Sequence, residues 1–501
     1  MTVRTLKLVL GLVTLAVWVG LIRLCVAFVN SELDWTAVAT YSRRDAPWYY
    51  RLAAVWGGLP GSLWLFTGIV AAVALIAARR QTARIAVAYS IAVIVALGGV
   101  AIAFVSPFKR LDIPAIGGFG LTPILEHPAM AIHPPLLYLG LACTLPAFLG
   151  PEETDRIWLR RALALITLAM ALGGLWSYLE QGWGGYWAWD PVENTSLMVW
   201  LAVIVALHAR RSVATMAPWL LTLFGACIVR SGSTPSIHGF GQQATVGWSL
   251  LAVAGLSVLV AFVAHHKSNQ PQAPQAAMNV RLTLIVLGVT VVGTLAPILV
   301  GIFSNRPSAV RGSFYSAFIG PVALLSLPFL GARLRAVGRP GWLAHLGAVV
   351  LIAGIAASTF DTTDNVIIAQ GQSAQAGGFT ITNVGLRIEP GPRAQSTSVI
   401  ADLLVDGDPM APSRVVYRDR GGTLNENVIR SRPWKDAQLQ LDTAIDSGVI
   451  TLTIYTRPMM WLVWLGAALI SVGALTSRWR RPADPTVADP TAAAVCEPTN
   501  R

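Results

Sequence analysis

Charge is scarce in this sequence. Only 12% of its 501 residues are Asp, Glu, Lys or Arg, about half the share of an ordinary soluble domain, which excludes a water-soluble globular protein. The long apolar runs contain no Asp or Glu at all. Cysteine is nearly absent: Cys25, Cys143 and Cys227 fall inside apolar runs, Cys496 lies near the C-terminus, and no CxxC or CxxCH occurs. That excludes dithiol exchange and a c-type haem attached to the chain itself, so any thiol in its chemistry comes from a partner. No internal repeat recurs at a fixed period. Lys and Arg outnumber Asp and Glu by 37 to 25, an excess that in a soluble chain would point to nucleic acid. Here topology accounts for it, and no nucleic-acid partner is expected.

What is abundant is apolar length. The chain is 54% hydrophobic with 18 Trp and a mean hydropathy of +0.59, and about 20 apolar residues make one membrane span. Twelve runs qualify: 6–29, 61–79, 84–106, 133–149, 157–178, 194–212, 215–232, 246–266, 281–303, 314–332, 341–358 and 458–476. The first is too long for the apolar region of a signal peptide and lacks a small-residue cleavage site, so it reads as a retained span. With the N-terminus cytoplasmic, Arg79, Arg80, Arg84, Arg156, Arg160, Arg161, Arg210, Arg211, Lys267, Arg281, Arg333, Arg335, Arg339, Arg478, Arg480 and Arg481 all fall on the inside, as the positive-inside rule requires. The expected fold is an all-α polytopic membrane protein of about 12 transmembrane helices, in contact with lipid, with both termini cytoplasmic and a small outer β domain before the last helix. That domain, 359–457, carries FTITNVGLRI, SVIADLLVDG, SRVVYRD and GVITLTIYT, which alternate at period two between Gly, Pro and Asp turns. It would divide a bundle over 1–358 from a final helix at 458–478. KSNQPQAPQAAMN and the tail 479–501 have a disordered composition.

With no intramembrane carboxylate, intramembrane histidines become functional candidates. His208 lies about 15 residues into a descending span and His345 about five residues into a rising one, so both fall in the cytoplasmic half. Two neutral imidazoles at one depth on different helices could ligate a haem iron from both faces, or join two helices by hydrogen bonds. On the outer side, His133 opens the fourth span and His238 lies in RSGSTPSIHGF after the seventh. They could close on a second haem, with His127 a neighbouring competitor. His265 and His266 read as cytoplasmic loop residues.

Between the outer histidines runs QGWGGYWAWDPVENTSLMVWL, with Trp183, Tyr186, Trp187, Trp189, Asp190 and Glu193. An interfacial aromatic belt is one reading. Glycines that permit close approach, flat aromatics and a DPVEN helix start make the other, a platform for a flat apolar ligand such as a porphyrin. Arg230 could meet a propionate there, or snorkel to the interface.

These residues resemble the tryptophan-rich, WWD-type haem-handling membrane proteins, and within them the CcmF-type cytochrome c haem lyases. The resemblance rests on YRLAAVWGGLPGS (50–62), FGLTPILEHPAMAIHPPLLYLG (119–140), GWGGYWAWDPVENTSLMVWL (182–201), VRSGSTPSIHGF (229–240) and GWLAHLG (341–347). It implies that His133 and His238 are the outer haem ligands, and that His208 and His345 are the ligands of a resident haem b. It also implies a haem lyase that takes transient haem substrate from an outer-surface haem chaperone and joins its vinyl groups to the thiols of an apocytochrome CxxCH. The Trp platform would hold the porphyrin, and the resident haem b would relay electrons, with quinol a candidate donor. A thiol-handling maturation subunit is a further implied partner, and no general acid or base is assigned. Tyr186 stands where the family commonly has Trp, and the helix set is shorter than the family's, lacking its first helix and some helices between the tenth and eleventh spans here. The alternatives are a haem exporter, against which no inverted repeat or broken-helix pair occurs, and a protein of the same type that only loads the haem chaperone.

Overall fold

In the computed structural model the described residues are 1–476, except 151, 181–184, 210–211, 235, 237, 240, 267–277, 305–307, 337–338, 419–421 and 445–447. Trp183, Arg210, Arg211, Lys267 and the tail with Arg478, Arg480, Arg481 and Cys496 therefore lie outside them.

Each expected apolar run is a helix: α1 Val3–Val29, α2 Leu59–Ala78, α3 Arg84–Val105, α4 Pro128–Ala142, α5 Glu152–Leu179, α6 Pro191–Ala209, α7 Ser212–Ser231, α8 Ala244–His266, α9 Met278–Ser304, α10 Gly312–Ala336, α11 Arg339–Ala357 and α12 Met460–Thr476. Eleven candidate spans among the described residues are long and apolar enough to cross a membrane, that of α4 continuing through a short turn to Ala147, and α12 adds a shorter apolar helix of 17 residues. Most helices start two to five residues before the apolar run that marks them, and at two of them a cap supplies the local reason. At α6 the sequence Asp190-Pro191-Val192-Glu193 builds a capping box: Asp190 Oδ2 accepts from Val192 N (3.0 Å), and Glu193 Oε2 accepts from Asp190 N (3.2 Å) and Ala188 N (2.9 Å). Orphan first-turn donors are satisfied, and Pro191, which has none to lose, begins the helix. At α4 the cap is His127, whose Nδ1 accepts from Ala129 N at 3.1 Å.

Helices α11 and α12 form the closest pair. A Cβ on Gly347 would stand 2.6 Å from Ile470 N, and one on Gly466 would stand 2.5 Å from Leu351 N. Only glycine lets the backbones meet this way, the small-residue packing that replaces the hydrophobic effect inside lipid.

Between these two helices the described residues form ten strands in two sheets, running from β1 (Thr362–Ile368) to β10 (Ile450–Pro458). One sheet orders β1-β10-β9-β8, where β8 is Val428–Ser431 and β9 is Lys435–Ala444; the other orders β2-β3-β4-β6-β7, with β5 paired to β4. Here β2 is Ser373–Ala376, β3 Phe379–Pro390, β4 Ser396–Val405, β5 Asp408–Met410, β6 Ser413–Tyr417 and β7 Gly422–Glu426. Their inner faces bury Phe379, Ile381, Leu403, Leu439, Leu452 and Ile454.

The module sits on the end of the bundle where α5 finishes and α6 begins. Gln438 Nε2 donates to Tyr178 O (2.9 Å), and Tyr178 donates its hydroxyl to Asp436 Oδ2 (2.8 Å). Glu126 receives Arg393 from the β module at 2.9 Å and Arg43 from the bundle's own first connection at 3.1 Å. The N-terminal ends of α4 and α6 share this β end. The C-terminal end of α6 and the N-terminal end of α11 lie at the far end.

Candidate functional site

At the β end the bundle holds a cavity of about 200 Å³, open to its surroundings and lined by α2, α4, α5, α6, α7 and α8. Its walls are mostly apolar, with Phe66, Leu137 and Leu221 among them, and three basic side chains line it, His133, His238 and Arg230. It continues down α4 from Met130 to Leu141, about 16 Å at 1.5 Å per residue. A deep apolar cleft with a few polar groups is what a large flat ligand requires.

Backbone chemistry shapes the cavity's rim. Pro134 cannot bond the carbonyl of Met130 four residues earlier, and the indole of Trp56 donates to that oxygen instead, at 2.7 Å. This fixes Trp56 in the cavity wall beside His133.

Each imidazole at the site is oriented through Nδ1. His133 Nδ1 donates to Ala169 O of α5 at 2.8 Å, and Gly173, one turn further on, leaves room for the ring: a Cβ there would stand 2.5 Å from His133 Cε1. His238 Nδ1 donates to Asp190 Oδ2 at 3.1 Å. The same carboxylate accepts from Ser236 Oγ (2.9 Å) and Val192 N (3.0 Å). Burial works to raise the pKa of Asp190, but His238 and these donors outweigh it and hold the carboxyl below its ordinary range. In both imidazoles the lone pair is left on Nε2, the arrangement of metal-ligating histidines. Arg230 donates to the hydroxyl of Tyr138 at 3.1 Å.

His127 differs. Its Nδ1 accepts the N–H of Ala129, so the neutral ring carries its proton on Nε2 and has spent its lone pair on the helix. Its ring stacks on Trp176 at 5.8 Å and 9°, and burial lowers its proton affinity. Trp176 in turn meets His133 edge-on at 6.3 Å and lines the cavity. Neither Trp56 nor Trp176 was singled out by the sequence reading. The usable signal is helical spacing, since Ala169, Gly173 and Trp176 recur at i, i+4 and i+7 on one face of α5.

Among the described residues, Tyr186, Trp187 and Trp189 of the Trp-rich segment stand apart from the cavity lining. Trp189, at φ +58°, stacks on Tyr315 of α10 at 4.6 Å and 5°, and Trp187 meets Trp189 edge-on at 5.9 Å. Tyr186 packs edge-on against Trp464 of α12, and its hydroxyl lies 2.8 Å from Ser358 Oγ. Their side chains contact α10–α12 and the end of α11, while the segment's acid, Asp190, faces His238.

At the far end His208 of α6 and His345 of α11 come together with ring centroids 6.0 Å apart and planes at 87°. Both Nδ1 atoms donate to their own helix one turn back, to Ile204 O (2.8 Å) and Gly341 O (2.7 Å). Two imidazoles bound trans to one metal at about 2 Å each would have centroids about 6 Å apart. No cluster of three or more His, Cys, Asp or Glu able to hold a metal occurs among the described residues. Paired imidazoles without further donors fit a metal whose remaining ligands come from a macrocycle.

Comparisons with known proteins agree with this architecture. Residues 152–230 match the cytochrome C assembly protein family. The probable cytochrome c-type biogenesis protein NrfE of Escherichia coli is 29% identical, over 92% of this chain and 92% of its own. CcmF of Escherichia coli is 27% identical, over 93% and 91%, and ccl1 of Rhodobacter capsulatus 26% identical, over 93% and 91%. In three dimensions the chain superposes on a solved cytochrome c heme lyase CcmF with a TM-score of 0.73 at 19% identity, covering 94% of this chain and 91% of that one. Across nine-tenths of its length the chain is thus similar in sequence to the NrfE and CcmF cytochrome c biogenesis proteins, and it shares its fold with a solved CcmF.

Proposed function

We propose that the protein is a cytochrome c haem lyase that works at the β end of its bundle. The observation that carries this reading is the pairing of His133 and His238 on one apolar cavity, each imidazole oriented through Nδ1. Haem enters as substrate, held through its iron by the two Nε2 atoms, with a propionate in reach of Arg230. Each thiol of an apocytochrome CxxCH then adds across a vinyl double bond, sulfur to the inner carbon and hydrogen to the terminal one, with no net electron transfer. Positioning supplies most of the rate: a porphyrin fixed in one plane and one orientation presents both vinyls to both thiols. Delivery comes from a haem chaperone on the β side, taken as the outer face of the cytoplasmic membrane, and a thiol-handling subunit keeps the CxxCH reduced.

His208 and His345 would hold a resident haem b, which when bound supplies one-electron chemistry able to keep the substrate iron ferrous, with quinol as the donor. The chain's own part is to orient both imidazoles through Ile204 O and Gly341 O.

The decisive assay incubates purified, haem-loaded protein with a reduced apocytochrome carrying CxxCH. Covalent haem on the cytochrome is read on a denaturing gel and by the haemochrome shift that accompanies loss of the vinyls. Wild type should give product, and His133→Ala and His238→Ala should not. Haem-loaded wild type that hands its haem on without forming a thioether would sink the lyase and favour a haem-loading role. Reduced-minus-oxidised spectra test the second site: a b-type signal should vanish in His208→Ala and in His345→Ala.

A further inference from the structure

The two cavity imidazoles are not equivalent, and the difference bears on how a finished cytochrome leaves. His133 is backed by a neutral carbonyl, Ala169 O at 2.8 Å. His238 is backed by a carboxylate, Asp190 Oδ2 at 3.1 Å, whose side chain is only 5% exposed. That carboxylate is itself fixed by Ser236 Oγ and by the first-turn amide of Val192. A carboxylate behind an imidazole makes the far nitrogen a stronger donor than a carbonyl does, and loss of such a partner typically costs 10–100-fold in metal affinity. The backbone ladder of α4 is also interrupted just beyond His133. The next two residues are Pro134 and Pro135, which remove two backbone hydrogen bonds from α4, and of the two freed carbonyls Met130 O is taken up by the Trp56 indole.

Attachment to CxxCH brings a third imidazole, the cytochrome's own histidine, to an iron that already has two. One must go. We infer that His133 is the ligand exchanged for the cytochrome histidine, and that Asp190 is the positioning residue that makes His238 the retained one. The exchange breaks one iron–nitrogen bond and forms another, with no change in electron count, and the displaced His133 keeps its proton on Nδ1. This rests on the reading that both imidazoles bind haem in the cavity.

The test measures haem loss. Purified protein is loaded with haem beyond what it carries when isolated, and transfer to excess apomyoglobin is followed for His133→Ala, His238→Ala and each in combination with Asp190→Asn. His133→Ala, which keeps the carboxylate-backed imidazole, should lose haem about tenfold more slowly than His238→Ala, and Asp190→Asn should abolish that advantage while leaving His238→Ala unchanged. Equal rates, faster loss from His133→Ala, or an advantage that survives Asp190→Asn would overturn the inference. A second readout avoids the alanine variants: Asp190→Asn alone should raise the midpoint potential of the added haem, because the less basic imidazole favours ferric iron less, and an unchanged potential would also overturn it. Single variants whose haem spectrum and retention both match wild type would instead show that neither histidine binds the iron, and the lyase site itself would fall.

Discussion

The ring of His133 lies between a carbonyl that orients it and a glycine that tolerates it, and Gly173→Ala separates the two. The new methyl would fall 2.5 Å from Cε1 and 2.9 Å from Nδ1, so the ring must turn and release Ala169 O. Alanine is the better helix former by up to about 1 kcal/mol, so the bundle should keep its stability while outer haem affinity falls at least tenfold, about the lower end of what losing an orienting partner costs. Haem titration beside thermal unfolding checks both halves, and intact affinity would remove His133 from the site. His127→Ala should do the reverse, costing about 1 kcal/mol for a lost cap and leaving the ligation spectrum of added haem unchanged. The sequence already singled out His133, His238, His208 and His345. It did not distinguish His127 as a cap, because the tautomer that disqualifies it depends on which backbone N–H lies beside Nδ1. Nor did it pair Asp190 with His238, 48 positions away.

Two contacts couple the β module to the site, and both use carboxylates that the sequence reading had no cause to select. Glu126, one residue before the His127 cap, bridges Arg43 and Arg393 with side-chain exposures of 11%, 11% and 5%. Removing one partner of a buried ion pair costs roughly 3–5 kcal/mol. Glu126→Gln should therefore release the 107–127 connection and the turn between β3 and β4, seen as faster amide exchange there while the core of β9 and β10 stays protected. Glu180, beyond the end of α5, pairs through its backbone with Glu426 of β7. Burial first, and the charge of Glu426 second, push its carboxyl up to about 7. A carboxyl whose folded value is raised stabilises the fold below its unfolded value, and that stability is lost as pH rises through the folded one. Docking should weaken between about pH 4.5 and 7 by up to roughly 3 kcal/mol, and Glu180→Gln should flatten that profile; a profile unchanged by the substitution would place the titration elsewhere. Strands with clean alternation, β3, β4, β6 and β10, were legible in the sequence. β1, β2, β5, β7 and β8 were not, because segments such as TTDNVII and SAQA carry too many polar residues for period two to stand out, and pairing with a neighbouring strand supplies what their pattern lacks; β9 does alternate, with Ala437, Leu439 and Leu441 buried, and was missed.

Across the whole molecule the two histidine pairs occupy opposite ends of one bundle, so their assignment to two sides of a membrane depends on which way the chain is inserted. Charge settles the expectation. The connection between α2 and α3 carries Arg79, Arg80 and Arg84 with no acid between them, whereas at the β end Arg23 pairs with Glu32, Arg110 with Asp34, Arg43 with Glu126 and Arg387 with Asp402. Unbalanced arginine in a short connection favours the cytoplasmic side, which is the ground for proposing the far end inside and the β module outside. The native cysteines make this measurable. Cys25, Cys143 and Cys227 lie in helices or just past the end of α4 and are at least partly buried, while the β module contains no cysteine. Trp434, 72% exposed in the turn before β9, offers a site outside both the cavity lining and the far histidine pair. In intact cells a membrane-impermeant maleimide should label Trp434→Cys, and should reach Cys496 only after the membrane is opened. The opposite pattern would invert the bundle, place His133 and His238 on the cytoplasmic face, and remove the outer-surface chaperone and apocytochrome from reach of the cavity proposed to join them.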